Sequence, residues 1–348
     1  MKKSDKKPVS VKRRLLIALC VVLAVVLAAL IVVTAYVEKV LGGINRFDGS
    51  EPTLSQEEID NILNNGDKGT GPSMDDDDVH FGDNPAVTIG GEEIINIMLI
   101  GQDRRAGEGR QRSDAMILCT VNTKNATLTM TSFLRDIYVK IPGYRNNKIN
   151  ACYQIGGMEL LDACLEENFG IHVDANIEVD FNGFMKLIDT VGGVEITLTA
   201  AEAGYLNRNG NWGVEENQGW KLKEGVNTLT GSQALAYSRI RAIGMDFERT
   251  ERQRKVLTAL VEKAKELNLL QINDLITDAV SLVTTDMTNK EIFGYAADLF
   301  PLLTKLKVQT QRIPADNTYS FADLPGAGDS IVIDFDANRQ LLVDTLVD

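Results

Sequence analysis

The residues best suited to chemistry lie in YSRIRAIGMDFERTERQ (237–253), where Arg239, Arg241, Arg249, Arg252 and Gln253 crowd one short stretch of an acidic chain. Like charges held close together repel, so their clustering points to an anionic partner. Guanidinium suits phosphate, because its planar fork donates paired hydrogen bonds. The plainer reading is a solvated helix face, which most charge runs are, but helical phase argues against it. A helix is expected from about 247 to 267, with Val256, Leu260, Ala264 and Leu267 along its apolar stripe and Leu257 on the flank. Arg249 and Gln253 fall on the axis of that stripe, one turn apart, and polar groups pointing at a core need partners. Glu251, Arg254, Lys255 and Lys265 fall outside it and are expected in solvent, while the phase of Arg252 leaves pocket and solvent both open. Upstream, GSQALAY (231–237) reads as a short helix and 238–243 as a strand. Its alternation would put Arg239 and Arg241 on one face and Ile240 on the other.

A second constellation comes earlier. An apolar strand at 94–100 opens into GQDRRAGEGRQRSD and returns as a strand at 115–121; the turn NTKNAT leads to a third strand, 128–132, followed by FLRD. If the three pair as a meander, Asp103 and Asp114 face each other at one sheet edge, and Arg135 and Asp136 arrive there too. Among Arg104, Arg105, Arg112 and Arg135, the two carboxylates could form salt bridges and nothing more. Their position at strand ends around a glycine-containing loop also suits one hard cation. Magnesium held by one or two carboxylates, with waters and substrate phosphate oxygens completing its shell, is the pattern such a site would take; manganese is the alternative. No Walker or dinucleotide fingerprint occurs.

The elements that must carry these groups form an α/β pattern over about 260 residues, 87–348, the size of one large domain. Before it, residues 38–86 are rich in Asp, Glu, Asn, Gly and Ser and read as an acidic flexible linker, with one short helix at 56–63 capped by Ser55 and Glu58. The run Asp75–Asp78 lacks the spacing of a calcium loop and reads as solvated linker. Residues 1–14 carry seven Lys/Arg and one Asp, +6 in a chain whose net charge is −13. The uninterrupted apolar block that follows, taken as 15–37, is long enough for a membrane-spanning helix, and the basic flank would keep the N-terminus in the cytoplasm and the domain outside. A cleaved signal peptide is the alternative. Outside the membrane, nucleic acid and nucleotides are poor candidate ligands. With two histidines and no Cys-x-x-Cys pair, the composition disfavours zinc and Ser-His-Asp catalysis. An oxidising compartment would permit a Cys152–Cys164 disulfide, although the odd number of cysteines outside the apolar block is poor evidence for a framework.

Taken in order, LIGQDRR…RSDAMILCTVN, SFLRDIYVKIPGY…NKINACYQIGG, FMKLIDTVGGVEI and LTGSQALAYSRIRAIGMDFERTERQRKVL resemble the LytR–CpsA–Psr family of membrane-anchored cell-envelope phosphotransferases, over about residues 92–314. The resemblance implies a three-layer α/β/α domain in which a central mixed sheet holds an apolar groove for a polyprenyl chain. It implies transfer of a phosphate-linked glycopolymer, such as teichoic acid or capsule, from a polyprenyl-pyrophosphate carrier to peptidoglycan. Carried over by position, Asp103 and Asp114 correspond to magnesium ligands. Arg135, Arg239, Arg241, Arg249 and Gln253 correspond to the pyrophosphate and head-group clamp, with Arg112 and Arg252 beside them, and Lys148 to a further phosphate contact. Asp246 corresponds to an acidic residue near the head group, as base or as arginine orienter. Leu134 stands where the family usually has Pro, and Cys152 where Ala or a larger residue is common. Two other functions fit the same residues: a non-catalytic regulator that binds lipid-linked glycan, and a hydrolase of the same carrier. Phosphoryl transfer and hydrolysis need the same positioning and charge neutralisation.

Overall fold

The computed structural model describes residues 36, 38–47, 54–64, 66, 69–102, 110–208, 219–244 and 246–347. The chain divides into two units, 1–43 and 44–348. Of the first, the described part is helical at 38–41; the basic tail and nearly all of the expected anchor, 15–37, lie outside the described residues. Among the described residues no helix is long and apolar enough to cross a membrane.

The second unit opens with β1 (Asn45–Arg46) and α1 (Gln56–Asn64), then β2 (Ile94–Gln102), β3 (Ser113–Asn122) and β4 (Thr127–Phe133). A small hairpin of β5 (Tyr138–Val139) and β6 (Asn147–Lys148) leads into the long helix α2 (Ile149–Phe169), followed by β7 (Ala175–Val179), α3 (Phe181–Thr190) and β8 (Val194–Leu198). Next come α4 (Ala200–Leu206), β9 (Gly225–Leu229), α5 (Gly231–Ser238), α6 (Asp246–Lys265) and α7 (Leu269–Ala279). The chain closes with β10 (Val283–Thr285), α8 (Asn289–Leu299), β11 (Lys307–Ile313), β12 (Tyr319–Leu324), β13 (Gly328–Ile333) and α9 (Phe335–Leu346).

Seven strands form a mixed sheet in the order β1-β10-β7-β2-β3-β4-β11. The central β2-β3-β4 meander is antiparallel, as its short connections require, while β7 and β11 join β2 and β4 in parallel. Both faces are covered. Met98, Ile100, Met116 and Leu118 pack against α2 and α9, and the alternate residues Ile95, Ile117 and Val121 pack towards Leu257 and Val261 of α6 and Tyr295 and Leu299 of α8. Strands buried on two sides need apolar residues at successive positions, which accounts for the continuous run IINIMLI.

Two expectations fail here. The described residues of the expected linker, 38–86, are not all extended: β1 adds to the sheet, and Ile59 and Leu63 of α1 enter the main core. The predicted cap on α1 is present, Ser55 and Glu58 exchanging hydrogen bonds. The low overall hydrophobicity hid a few apolar residues at helical spacing, and those few suffice to dock the segment. Asp76, from the acidic run, accepts hydrogen bonds from Tyr138 and Asn146 at 3.0 Å each and so is part of the fold. The second failure is at 238–243, which is no strand: Ser238 ends α5 and the following residues form an irregular loop.

Cys152 and Cys164 are disulfide-bonded within α2. Twelve residues of straight helix would separate them by ~18 Å, yet their Cα atoms lie 7.0 Å apart. A kink at Gly157, with φ of 67°, folds the helix back. A side chain at Gly157 would strain that backbone and crowd Phe47 and Arg110.

Candidate functional site

The C-terminal end of β2, the start of β3 and the residues after β4 meet at one sheet edge. Arg135 follows β4 and donates from Nη1 to Asp114 Oδ1 at 2.7 Å. Its neighbour Asp136 lies 3.5 Å from Arg135 Nε and 3.3 Å from Lys148 Nζ, the lysine being delivered by the β5–β6 hairpin. Burial pulls the Arg135 guanidinium down, but Asp136, Asp246 and Asp114 outweigh it and leave its pKa raised. It is a fixed positive charge. Asp103 lies outside the described residues.

From the other side α5 and α6 bring the second set. Thr230 and Gln233 close a capping box on α5, fixing its start, and any side chain at Gly231 would overlap the Met185 carbonyl, so glycine there permits close packing on α3. Arg239 caps the end of α5, with its guanidinium carbon 4.5 Å from the centre of the Phe181 ring, a cation–π contact. Although the backbone here is not a strand, Arg239 and Arg241 line the same cavity while Ile240 is buried in a separate hydrophobic cluster. Arg241 reaches within 3.9 Å of Asp114 Oδ1 and is 57% exposed. On α6, Arg249 is only 3% exposed. Its Nη2 donates to Asp246 Oδ2 at 3.0 Å and to the Asp114 carbonyl at 3.4 Å, while its buried Nε has no hydrogen-bond partner among the described residues. Burial lowers the Arg249 pKa; Asp246 opposes this, and Arg135 and Arg241 reinforce it. Asp246 is thus paired with Arg249, and as an acidic group in the first turn it also complements the helix dipole.

These groups surround a polar cavity of about 260 Å³ lined by Asp114, Arg239, Arg241, Arg249 and Gln253. Gln253 Oε1 is buried with no hydrogen-bond partner among the described residues. The cavity continues into an apolar one of about 350 Å³ between the sheet and α3, α5 and α6. Gly101, Ala115, Phe181, Ser238, Arg239 and Gln253 line both. An anionic head and a hydrocarbon tail on one ligand would match this pair of spaces.

Several expected groups sit elsewhere. Arg112 does not line either cavity: it donates to the Ile62 carbonyl at 3.0 Å and to Gln154 at 3.3 Å, tying α1 to α2, and burial lowers its pKa. Lys148 lines neither cavity and pairs with Asp136, which lies beside Arg135. Arg252 turns away from the ligand space and each of its guanidinium nitrogens already donates, Nε to Glu202 at 2.8 Å, Nη1 to the Ile240 carbonyl at 3.0 Å and Nη2 to the Ile243 carbonyl at 2.6 Å. It holds the loop that presents Arg239 and Arg241. Arg254, expected in solvent, is 6% exposed, and Lys265 is largely covered because it donates to the Leu306 carbonyl. In both cases segments distant in sequence cover a helix face that helical phase alone leaves open. The apolar lining was missed. Phe181, Phe184 and Leu187 of α3, spaced three apart, form much of the wall. That spacing was the available signal.

Residues 61–327 match the model of the LytR_cpsA_psr family. The chain is 32% identical over 222 residues to the polyisoprenyl-teichoic acid–peptidoglycan teichoic acid transferase TagT of Bacillus subtilis, covering 62% of this chain and 66% of TagT, just under two thirds of that protein. It is 30% identical over 256 residues to the regulatory protein MsrR of Staphylococcus aureus, covering 72% of this chain and 74% of MsrR. A solved structure of YwtF (TagT) with bound octaprenyl pyrophosphate lipid superposes with a TM-score of 0.56 at 26% identity, covering 77% of this chain and 98% of the other. With the family model spanning well over half its length, on a mixed α/β fold shared with TagT, this chain belongs to the LytR_cpsA_psr family.

Proposed function

We propose that this chain transfers a phosphate-linked glycopolymer from a polyprenyl-pyrophosphate carrier to peptidoglycan. The observation that carries the reading is the continuity of an arginine-lined cavity with an apolar one. A polyprenyl pyrophosphate needs both, with its phosphates at the junction and its chain inside. The name of TagT and the lipid in the YwtF structure support the same substrate class.

In this reading Arg239, Arg241 and Arg249 neutralise the pyrophosphate, and Gln253 orients it from the floor of α6. Arg135 holds Asp114 in place, and Asp246 holds Arg249. Fixed donors aimed at developing charge lower the barrier without having to reorganise during the reaction. The site fits a magnesium ion in its donor chemistry: Asp114 is a carboxylate on the cavity wall, next to where phosphate oxygens would lie. Asp103 would be its second ligand. When bound, the ion would withdraw charge from the phosphate oxygens. The apolar block at 15–37 would anchor the domain on the outer membrane face, close to the lipid carrier.

The test is release of polyprenyl phosphate by the purified full chain from a lipid-linked glycopolymer, with and without magnesium and a peptidoglycan acceptor. Acceptor-dependent release that Asp114→Ala and Arg241→Ala both abolish is the expected result. Release that proceeds equally without acceptor would replace transfer by hydrolysis, and lipid binding without any release would leave a regulator.

A further inference from the structure

A second cavity, of about 860 Å³, lies between α6, β8 and β11. It lies on the far side of α6 from the arginine pocket, since Thr258 on its wall projects half a turn round the helix from Arg249. The group that sets its character is Arg254. This side chain is 6% exposed, lines the cavity, and has no hydrogen-bond partner for Nε and Nη1 among the described residues. Its charged neighbours are already committed to one another: Lys255 to Glu251 at 2.7 Å, Lys265 to Glu262 at 2.6 Å, and Lys263 to Glu266 at 3.4 Å. No described carboxylate forms an ion pair with Arg254. Burial lowers its pKa to about 10; Glu251 opposes the shift and Arg312 adds to it, so the group is still charged at neutral pH. A buried charge with no counter-ion is costly, and it is the kind of group a ligand's anion relieves.

The rim decides which anion. Glu195, Glu251, Glu262 and Glu266 line the cavity with Lys255 and Lys263, and of these Glu195 is the one without an ion pair among the described residues. An uncommitted carboxylate beside the arginine disfavours a polyanion such as a phosphate-repeating polymer. A short peptide carrying a free carboxylate and a free amine satisfies both parts, its carboxylate at Arg254 and its amine at Glu195.

We propose that this groove binds the short peptide carried by the peptidoglycan acceptor, with one peptide carboxylate resting on Arg254. The proposal builds on the transfer reaction proposed above and gives its acceptor a place. Gln253 and Arg254 are adjacent in sequence, so donor phosphate and acceptor peptide would be held about 100° apart round the same turn of α6.

The experiment is calorimetric titration of the detergent-purified full chain with four probes: a disaccharide-peptide fragment of peptidoglycan, the same peptide without sugar, that peptide with its carboxylates amidated, and octaprenyl pyrophosphate. The wild type is expected to bind the first two and to lose about tenfold or more in affinity on amidation, the scale of one charge-assisted hydrogen bond. Arg254→Gln and Thr258→Trp, the latter filling the groove, should each weaken the peptide by about tenfold and leave octaprenyl pyrophosphate unchanged. Arg254→Gln should melt no lower than the wild type, because it removes a charge that has no partner. Equal peptide affinity in both variants, no peptide binding by the wild type, or displacement of the peptide by inorganic phosphate at comparable concentration would overturn the proposal. Peptide binding that follows the expected pattern in a chain that transfers nothing would instead overturn the transfer reading and leave the groove standing.

Discussion

Three positions apart on α6, Arg249 and Arg252 are buried to nearly the same degree, 3% and 4% exposed, yet they belong to regions built on opposite terms. Around Arg252 every guanidinium nitrogen meets an oxygen of Glu202, Ile240 or Ile243. Around Arg249 one nitrogen meets Asp246 and the Asp114 carbonyl, and Nε meets none among the described residues. Burial is therefore a poor guide to which arginine binds a ligand. The useful measure is how much hydrogen-bonding capacity the fold leaves unused, because a guanidinium whose every nitrogen already donates to the protein has less left to offer a phosphate. The two regions are also linked: Arg252 pins the loop from which Arg239 and Arg241 emerge.

The sharpest break of this comparison is Arg252→Ala. It strands Glu202 in a buried site, and loss of one partner from a buried ion pair costs about 3–5 kcal/mol. Chemical denaturation should show that loss at neutral pH. Burial raises the Glu202 pKa, but hydrogen bonds from Thr199 and Arg252 outweigh it and hold the carboxyl below its ordinary value. A depressed carboxylate pKa contributes stability above the unfolded-state value and loses it as pH falls through the folded value. The difference between wild type and Arg252→Ala should accordingly shrink as pH drops below that window. Next comes Arg239→Ala, expected to slow polyprenyl phosphate release by about 10²-fold, ~2.7 kcal/mol, with little change in melting temperature. A large drop in melting temperature instead would put Arg239 in the same structural class as Arg252. Leu235→Trp narrows the apolar cavity without touching its arginines, and should weaken octaprenyl pyrophosphate by about tenfold, ~1.4 kcal/mol, while inorganic pyrophosphate binds as before. The smallest effect belongs to Lys255→Ala, which breaks an exposed pair with Glu251 and should change stability by less than about 0.5 kcal/mol.

Much of this was legible in the chain. The meander strands, α5, α6 and the cap on α1 all follow from local periodicity and capping residues. The inward aim of Arg249 and Gln253 follows from counting residues round a helix. What escaped reading involved contacts between distant segments. Arg254 lies on the outer side of α6 by phase, but packing of that helix on β8 leaves it 6% exposed. Arg112 falls among site residues in sequence but is drawn to the Ile62 carbonyl, fifty residues away. The loop at 238–243 alternates in composition as a strand would, and has no neighbouring strand to pair with.

By itself the sequence determined the residue types, their phase on each element and the family to which they belong, because helix and strand geometry repeat over a few residues. It also determined that a cluster of arginines needs an anion. Only the tertiary structure decided which of those arginines are already satisfied. Satisfaction depends on where Glu202, Asp246 and the carbonyls of a loop arrive, and that is set by packing between segments far apart in the chain. The same packing joined the polar cavity to the apolar one, a union that no single segment encodes.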